Sequence, residues 1–299
     1  MKNVTPVAGA IMAALLLFPV HGWADSDEDA PKSLTLGIYC PNCQFGGSGE
    51  RWGYINRLAR HLENITKIPT RARAFGSAGA FSGGVAKVDF AVVDPVYMCR
   101  QGGRFRVLLT GRLGGGSRAS WGLFARSATG GVMGLKGQRL IMAESGGAEA
   151  SLAEGLLAGQ IAVRKFFGSV RQAPDLVSAI AAVRGGSADA VFAPRVMGAG
   201  LAQVYAAGSV PNAAFVLVRK DLPSGLVSKI RAAVRGYGAT GVGGWGDPAG
   251  YSCAFGRKRY SMAVARPRVV RFSGRGIVDL DLESDFVLPD VRKYFWRPR

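Results

Sequence analysis

The chain has 299 residues, 48% of them apolar, and 38 lysines and arginines against 20 acidic residues give it a formal net charge of +18. That length allows two domains of ordinary size, and the apolar content excludes a disordered or fibrous chain. There are 2 histidines, His21 and His61, which excludes multi-histidine metal sites and leaves His61, beyond the leader described next, as the single histidine base for serine or cysteine chemistry.

Lys2 gives a positive start, 11–20 is an apolar run, and Gly22, Trp23 and Ala24 offer small residues before a cleavage point. This pattern reads as a secretory signal peptide over 1–24, since an apolar run of about ten residues is short of the roughly 20 that span a bilayer. No cysteine follows where a lipoprotein needs one and no arginine pair precedes the run, so an unlipidated product free in the periplasm is expected. About 275 residues then remain. An acidic segment, 25–32, is expected to be mobile.

Ser33 to Tyr39 alternates as a strand does, and a glycine-rich loop runs from Cys40 to Gly49. Glu50 to Thr66 predicts an amphipathic helix that buries Trp52, Ile55, Leu58, Ala59, Leu62 and Ile65, and Pro69 stops it. A strand over 70–75, a turn at Gly76 and Ser77, a short helix to Lys87 and an apolar strand over 88–93 follow. Residues 108–126 read as extended chain crossing into a second lobe, where the cycle restarts. A turn and strand fill 135–143, helices 148–167 and 174–184, a strand 188–193, a strand 213–218 and a helix 224–236 with Leu226, Val227, Ile230 and Val234 on one side. The alternation predicts an α/β fold of two lobes, each a mainly parallel sheet flanked by helices, with the ligand cleft between them at the strand ends. Lobe 1 is expected over 33–115 with part of 237–299, lobe 2 over 116–236, and a basic C-terminal extension over 251–299. The basic residues are dispersed except at Arg257, Lys258, Arg259 and from Arg266 to Arg299, without the aromatic pattern of an RNA-binding sheet. Contact with an anionic envelope surface is expected, and no nucleic acid.

The order of pieces resembles the phosphate, phosphite and phosphonate-binding components of ABC transporters, within the type 2 periplasmic solute-binding proteins. The matching stretches begin at Leu34 (LTLGI), Val88 (VDFAVVDP), Leu135 (LKGQRL), Gly186 (GSADAV) and Val218 (VRKDLP), and coverage runs from Ser33 to Gly236. The resemblance implies a hinged monomer that captures a small ligand, a phosphonate-like oxyanion or a small organic molecule, for a permease in the inner membrane. Two departures stand out. Phosphonate-type members present hydroxyl residues at the helix N-terminus that holds the oxyanion. Here the stretch from Glu144 to Glu149 offers the single hydroxyl of Ser145, and Glu149 puts a negative charge in the first helical turn, where the usual role is to complement the dipole and face solvent. Family members also tend to carry a tyrosine three residues past the strand-end proline, whereas Tyr97 is two past Pro95 and Met98 is third.

The expected ligand-binding residues are Tyr39, Ser48, Ser77, Asp94 and Tyr97 from lobe 1, and Ser120, Glu144, Ser145, Gly146, Gly147 and Arg195 from lobe 2. Ser145 to Gly147 would offer backbone N–H groups, Arg195 would pair with an anionic group, and Tyr39 or Tyr97 would cover an apolar or cationic face. No catalytic residue, cofactor or metal site is expected. The glycines and serines at 47–49 and 76–78 read as turns, and the stretch from Gly115 to Trp121 lacks the ending of a phosphate loop.

Cys40, Cys43, Cys99 and Cys253 would all stand in an oxidising compartment, where an even number favours disulfides with three possible connectivities. The predicted topology brings Cys99 near Cys40 or Cys43, with Cys253 joined to the remaining partner. Two other readings stay open. The spacing of Cys40 and Cys43 is that of a redox pair, although the loop before the helix removes the usual thiolate-stabilising geometry. Four thiolates on one zinc or copper ion is the other. A non-transporting binding or regulatory protein of the same fold, and a periplasmic thiol or metal protein, are the alternatives to the transport receptor.

Overall fold

The computed structural model describes residues 31–101, 104–113, 115–238 and 243–248. The leader, Cys253 and the basic segment 251–299 lie outside the described residues. The first lobe runs β1 (Leu34–Tyr39), α1 (Ser48–Thr66), β2 (Thr70–Ala74), α2 (Ala78–Gly84), β3 (Phe90–Val93), α3 (Pro95–Arg100) and β4 (Arg106–Gly111). The second runs β5 (Arg118–Ala125), β6 (Arg139–Ala143), α4 (Glu149–Leu156), α5 (Val163–Phe166), β7 (Ser169–Ala173), α6 (Leu176–Arg184), β8 (Ala190–Pro194) and β9 (Ala202–Pro211). The chain then returns to the first lobe through β10 (Ala214–Leu217), α7 (Ser224–Arg235) and β11 (Trp245–Gly246).

The first sheet has the order β11-β4-β10-β3-β1-β2 and the second β7-β6-β8-β5-β9. In each, the βαβ units pair in parallel, β1 with β2 and β3, β6 with β7 and β8. The strands next to the crossings are antiparallel: β10 to β3 and β4, β5 to β8 and β9. The sheets are therefore mixed. The lobe boundary also falls earlier than the expected 236, because β10 sits in the first sheet and α7 packs its buried Val227, Ile230 and Val234 into the core there.

The α1 stripe turns by about one residue from the expected one. Tyr54, Ile55, Leu58, Ala59 and Leu62 are buried, whereas Trp52 and Ile65 are 49% and 38% exposed. Each fully buried large apolar side chain of that face contributes ~1.5–3 kcal/mol. The helix ends where Lys67 enters the left-handed region at φ 63° and its N–H closes on Glu63 O. The expected helix over 148–167 is interrupted: Ala158 and Gly159 both take positive φ, ending α4 and leaving α5 as one turn. β7 and the long β9 were not predicted, and β4 and β5 divide the extended stretch.

Two segments cross between the lobes, 111–118 and 211–214, and Asn212 ties them. Its buried side chain donates to Gly111 O at 3.0 Å and Gly116 O at 2.9 Å, and its N–H donates to Ser117 O at 2.9 Å. No helix among the described residues is long and apolar enough to cross a membrane.

Candidate functional site between the lobes

The carboxyl ends of β1, β3 and β6 meet where the lobes touch, and polar groups gather there. Asp94, wholly buried, follows β3 and caps α3, accepting from Val96 N–H at 2.8 Å and Tyr97 N–H at 3.3 Å, with Pro95 in the first turn where its missing N–H costs nothing. Its other oxygen accepts from Asn42 N–H at 2.8 Å. Burial pushes its carboxyl up to about 6, against those three hydrogen bonds, which act to lower it.

From the loop after β1, Asn42 reaches into lobe 2. Its side-chain amide donates to Glu144 O at 3.2 Å and Ser145 Oγ at 3.0 Å, and Pro41 O accepts from Leu176 N–H at 3.1 Å. Arg100 Nη1 donates to Ser145 O and Gly146 O. Arg51 on α1 faces Asp175, the cap of α6, at 3.4 Å, with side chains 7% and 5% exposed. The backbones come close: a Cβ on Gly146, whose φ is +67°, would stand 2.8 Å from Ala78 Cβ.

Carboxylates already occupy the N–H groups at the start of α2 and in the turn before α4. Ala78 N–H, at the start of α2, donates to Glu144 Oε1 at 3.0 Å across the lobes. Ser145 N–H and Gly147 N–H donate to Glu149 Oε1 at 2.6 and 3.2 Å. Glu149 is buried, not facing solvent, because the turn made by Gly146 and Gly147 at positive φ aims both N–H groups at its side chain. Beside them, Tyr39 packs on Phe81 and Tyr97, with ring centroids 5.6 and 5.2 Å away. The Tyr97 hydroxyl pairs with Ser82 Oγ at 2.7 Å, while the buried Tyr39 hydroxyl has no hydrogen-bond partner. Burial, then the nearby Asp94, Glu144 and Glu149, hold the Tyr39 phenol well above its ordinary value, so it is a donor.

Of the expected residues, Tyr39, Asp94, Tyr97, Glu144, Ser145, Gly146 and Gly147 come together, with Ser77 capping α2 at the edge through Ala80 N–H at 3.1 Å. Ser48 is exposed at the start of α1, Ser120 is exposed on β5 opposite Ser209, and Arg195 is exposed in the turn after β8. These three stand outside the cluster. Sequence reasoning missed Asn42, Arg51, Arg100 and Asp175, whose role depends on lobe contact; the cap-like Asp175 before α6 was the one local signal. His61 offers no base for nucleophilic chemistry here, since its Nε2 lies 3.1 Å from Ala233 O and its ring packs on Tyr237.

The cysteines pair otherwise than expected. Cys40 bonds to Cys43 within the loop after β1, and Cys99 is disulfide-bonded as well, so no bridge joins Cys99 to either. The loop doubles back tightly enough for this, with Cα atoms 5.3 Å apart. With these two sulfurs joined, they are not thiolate ligands to a shared ion.

No family model and no curated protein matches the chain. Solved structures do. PhnD1 from Prochlorococcus marinus, in complex with methylphosphonate, superposes with TM-score 0.56 at 12% identity over 69% of this chain and 84% of its own. XAC2383 from Xanthomonas citri bound to ATP gives 0.54 at 15% identity over 78% and 96%. The binding protein component of an ABC phosphonate transporter from Pseudomonas aeruginosa gives 0.54 at 14% over 70% and 75%. The chain thus has the two-lobed fold of periplasmic binding proteins.

Proposed function

We propose that the protein is a periplasmic solute-binding protein, not an enzyme, that captures a small organic ligand with a cationic end between its lobes and delivers it to an ABC transporter permease. It works as a monomer after removal of its leader, and its excess positive charge favours the anionic envelope surface. The observation that carries the ligand class is the occupation of the α2 start by Glu144 and of the turn before α4 by Glu149. An oxyanion placed there meets like charge and finds the N–H groups taken. A cation meets two carboxylates and the buried Tyr39 hydroxyl, whose oxygen has no partner.

The test is a thermal-shift series with putrescine, choline, methylphosphonate, taurine and succinate. Ligand at a hundred times its Kd stabilises by ~2.7 kcal/mol, so a receptor's ligand class stands out. Putrescine or choline should raise the melting temperature of the wild type and not of Glu144→Ala. Stabilisation by methylphosphonate alone would overturn the cationic class.

A second reading, a non-transporting regulator of the same fold, is favoured by the crevice at the lobe junction near Cys43 and Trp121, whose ≈ 10 Å³ holds about one water. A flat response to every compound would select it.

A further inference from the structure

The disulfide of Cys40 and Cys43 encloses two of the residues that bind lobe 1 to lobe 2. Pro41 O accepts from Leu176 N–H, and Asn42 donates to Glu144 O and Ser145 Oγ. All three contacts are made by the two residues inside the ring that the disulfide closes. Both sulfurs lie within 4.8 Å of a carboxylate oxygen of Asp94, which also holds Asn42 N–H. Cys43 lines the small crevice at the lobe junction, walled by Pro95 and Ala213 from lobe 1 and Trp121 and Pro194 from lobe 2. Cys40, 1% exposed, is packed in the lobe 1 core, whereas Cys43, 7% exposed, also lines the lobe junction, so parting the lobes uncovers the disulfide from the Cys43 side.

We propose that Cys40 and Cys43 form a reversible redox clasp: the disulfide holds the lobes together, a dithiol reductant releases them, and lobe closure shields the disulfide from that reductant. A thiolate of the dithiol attacks Cys43 Sγ, the more exposed sulfur, and forms a mixed disulfide as the bond to Cys40 breaks. The Cys40 sulfur leaves as a thiolate and takes a proton, from the Asp94 carboxyl below about pH 6 and from solvent above it. The second thiol of the reductant, as a thiolate, then displaces Cys43, which leaves as a thiolate and is protonated by solvent. Two electrons pass to the protein, the reductant ends as its own disulfide, and Asp94, where it gave its proton, regains one from solvent. Helix-dipole activation plays no part, because α1 begins at Ser48, five residues beyond Cys43; Asp94 serves instead by protonating the leaving group. The inference stands on the lobe contacts and needs no ligand, so it can fail or hold independently of the ligand class proposed above.

The experiment uses the mature chain without ligand. Small-angle scattering compares the oxidised protein, the protein reduced by dithiothreitol and the Cys40→Ser/Cys43→Ser variant, while site-resolved mass spectrometry after alkylation follows the reduction rate of this pair separately from Cys99. Reduced and variant proteins should have a larger radius of gyration, reversed in the reduced sample by reoxidation. Reduction of the pair should be at least about tenfold faster in Arg51→Met, which weakens lobe contact, since exchange depends on access. Asp94→Asn should flatten the rate profile between about pH 5 and about pH 7. The neighbouring Tyr39 phenol feels, besides Asp94, Glu144 and Glu149 from lobe 2 and Tyr97 from α3, and all of these are unchanged in that variant. Identical scattering before and after reduction, or equal reduction rates in wild type and Arg51→Met, would overturn the clasp.

Discussion

Replacing Arg51 by methionine should open the lobes. Arg51 Nη2 stands 3.4 Å from Asp175 Oδ2, and both side chains are nearly excluded from water. Methionine keeps the stem's packing and removes the charge, while Asp175 still accepts from Ser178 N–H at 2.9 Å and goes on capping α6. Leaving one member of a buried ion pair uncompensated costs ~3–5 kcal/mol for as long as it stays buried. The remaining polar contacts across the lobes, through Pro41, Asn42, Ala78 and Arg100, each contribute roughly 0.5–1.5 kcal/mol net, somewhat more for those involving a charge. The penalty is of the same order as their sum, and parting the lobes rehydrates Asp175 and removes it. A shift of ~3 kcal/mol changes the closed-to-open ratio about 150-fold. Small-angle scattering reads this as a larger radius of gyration. Adding Asp175→Asn, which caps a helix as well as aspartate does and carries no charge, should restore closure in the double variant. An Arg51→Met protein whose scattering matches the wild type would refute the reasoning, because Asp175 would then be tolerated alone in the closed interface.

Four further outcomes follow from the same contacts. The folded state holds the Asp94 proton more tightly, at about 6, than an unfolded chain does; its contribution is full below about pH 4 and is lost as pH rises through 6, a change of about 3 kcal/mol. Urea titrations should show that decline in wild type and not in Asp94→Asn, and parallel curves would contradict it. Gly146→Ala should hold the lobes apart and cost ~1–3 kcal/mol, since the new Cβ meets Ala78 Cβ at 2.8 Å and φ is +67°; a crystal structure with the same lobe angle would exclude the wedge. Asn212→Leu should lose ~1–3 kcal/mol in chemical denaturation by leaving Gly111 O and Gly116 O without their donor, and an unchanged midpoint would remove Asn212 from its role at the crossing. Glu149→Ala frees Ser145 N–H and Gly147 N–H, so methylphosphonate should stabilise this variant more than wild type in calorimetry; equal responses would mean that Glu149 is not what fills that seat.

Local pattern was enough for what local chemistry decides. The strand expected over 33–39 and the helix expected over 50–66 follow from alternation and helical spacing, and they stand at Leu34–Tyr39 and Ser48–Thr66. What failed depended on partners distant in sequence. β9 pairs with β5 from Ala202 to Pro211 through two register shifts, and its own residues mix small, polar and apolar types without regular alternation. β10 looks like any apolar strand, and its place in the first sheet is set by pairing with Val93 and Thr110. Arg195 was expected to face the ligand from a strand end, but β8 runs to Pro194 and the turn that follows points it to solvent. Arg51 was invisible for the opposite reason: a charged residue on a helix reads as surface until Asp175 arrives from the other lobe.

The sequence departure at 144–149 acquires its meaning only from the geometry. Gly146 and Gly147 stand at positive φ, the N–H groups of Ser145 and Gly147 converge on one point, and Ala78 N–H at the start of α2 points across the junction. What these N–H groups hold is the chain's own acid. A carboxylate attached one turn away competes as an intramolecular ligand, at effective concentrations that a dilute solute does not match. It also satisfies N–H groups that would otherwise be buried without partners in the closed form. Glu144 does this across the lobes, so closure itself supplies the acceptor that a bound oxyanion would supply. A protein closed in this way gains nothing from an anionic ligand unless that ligand expels a carboxylate. On the proposed reading, a cationic ligand neutralises the carboxylates where they stand and leaves these hydrogen bonds in place.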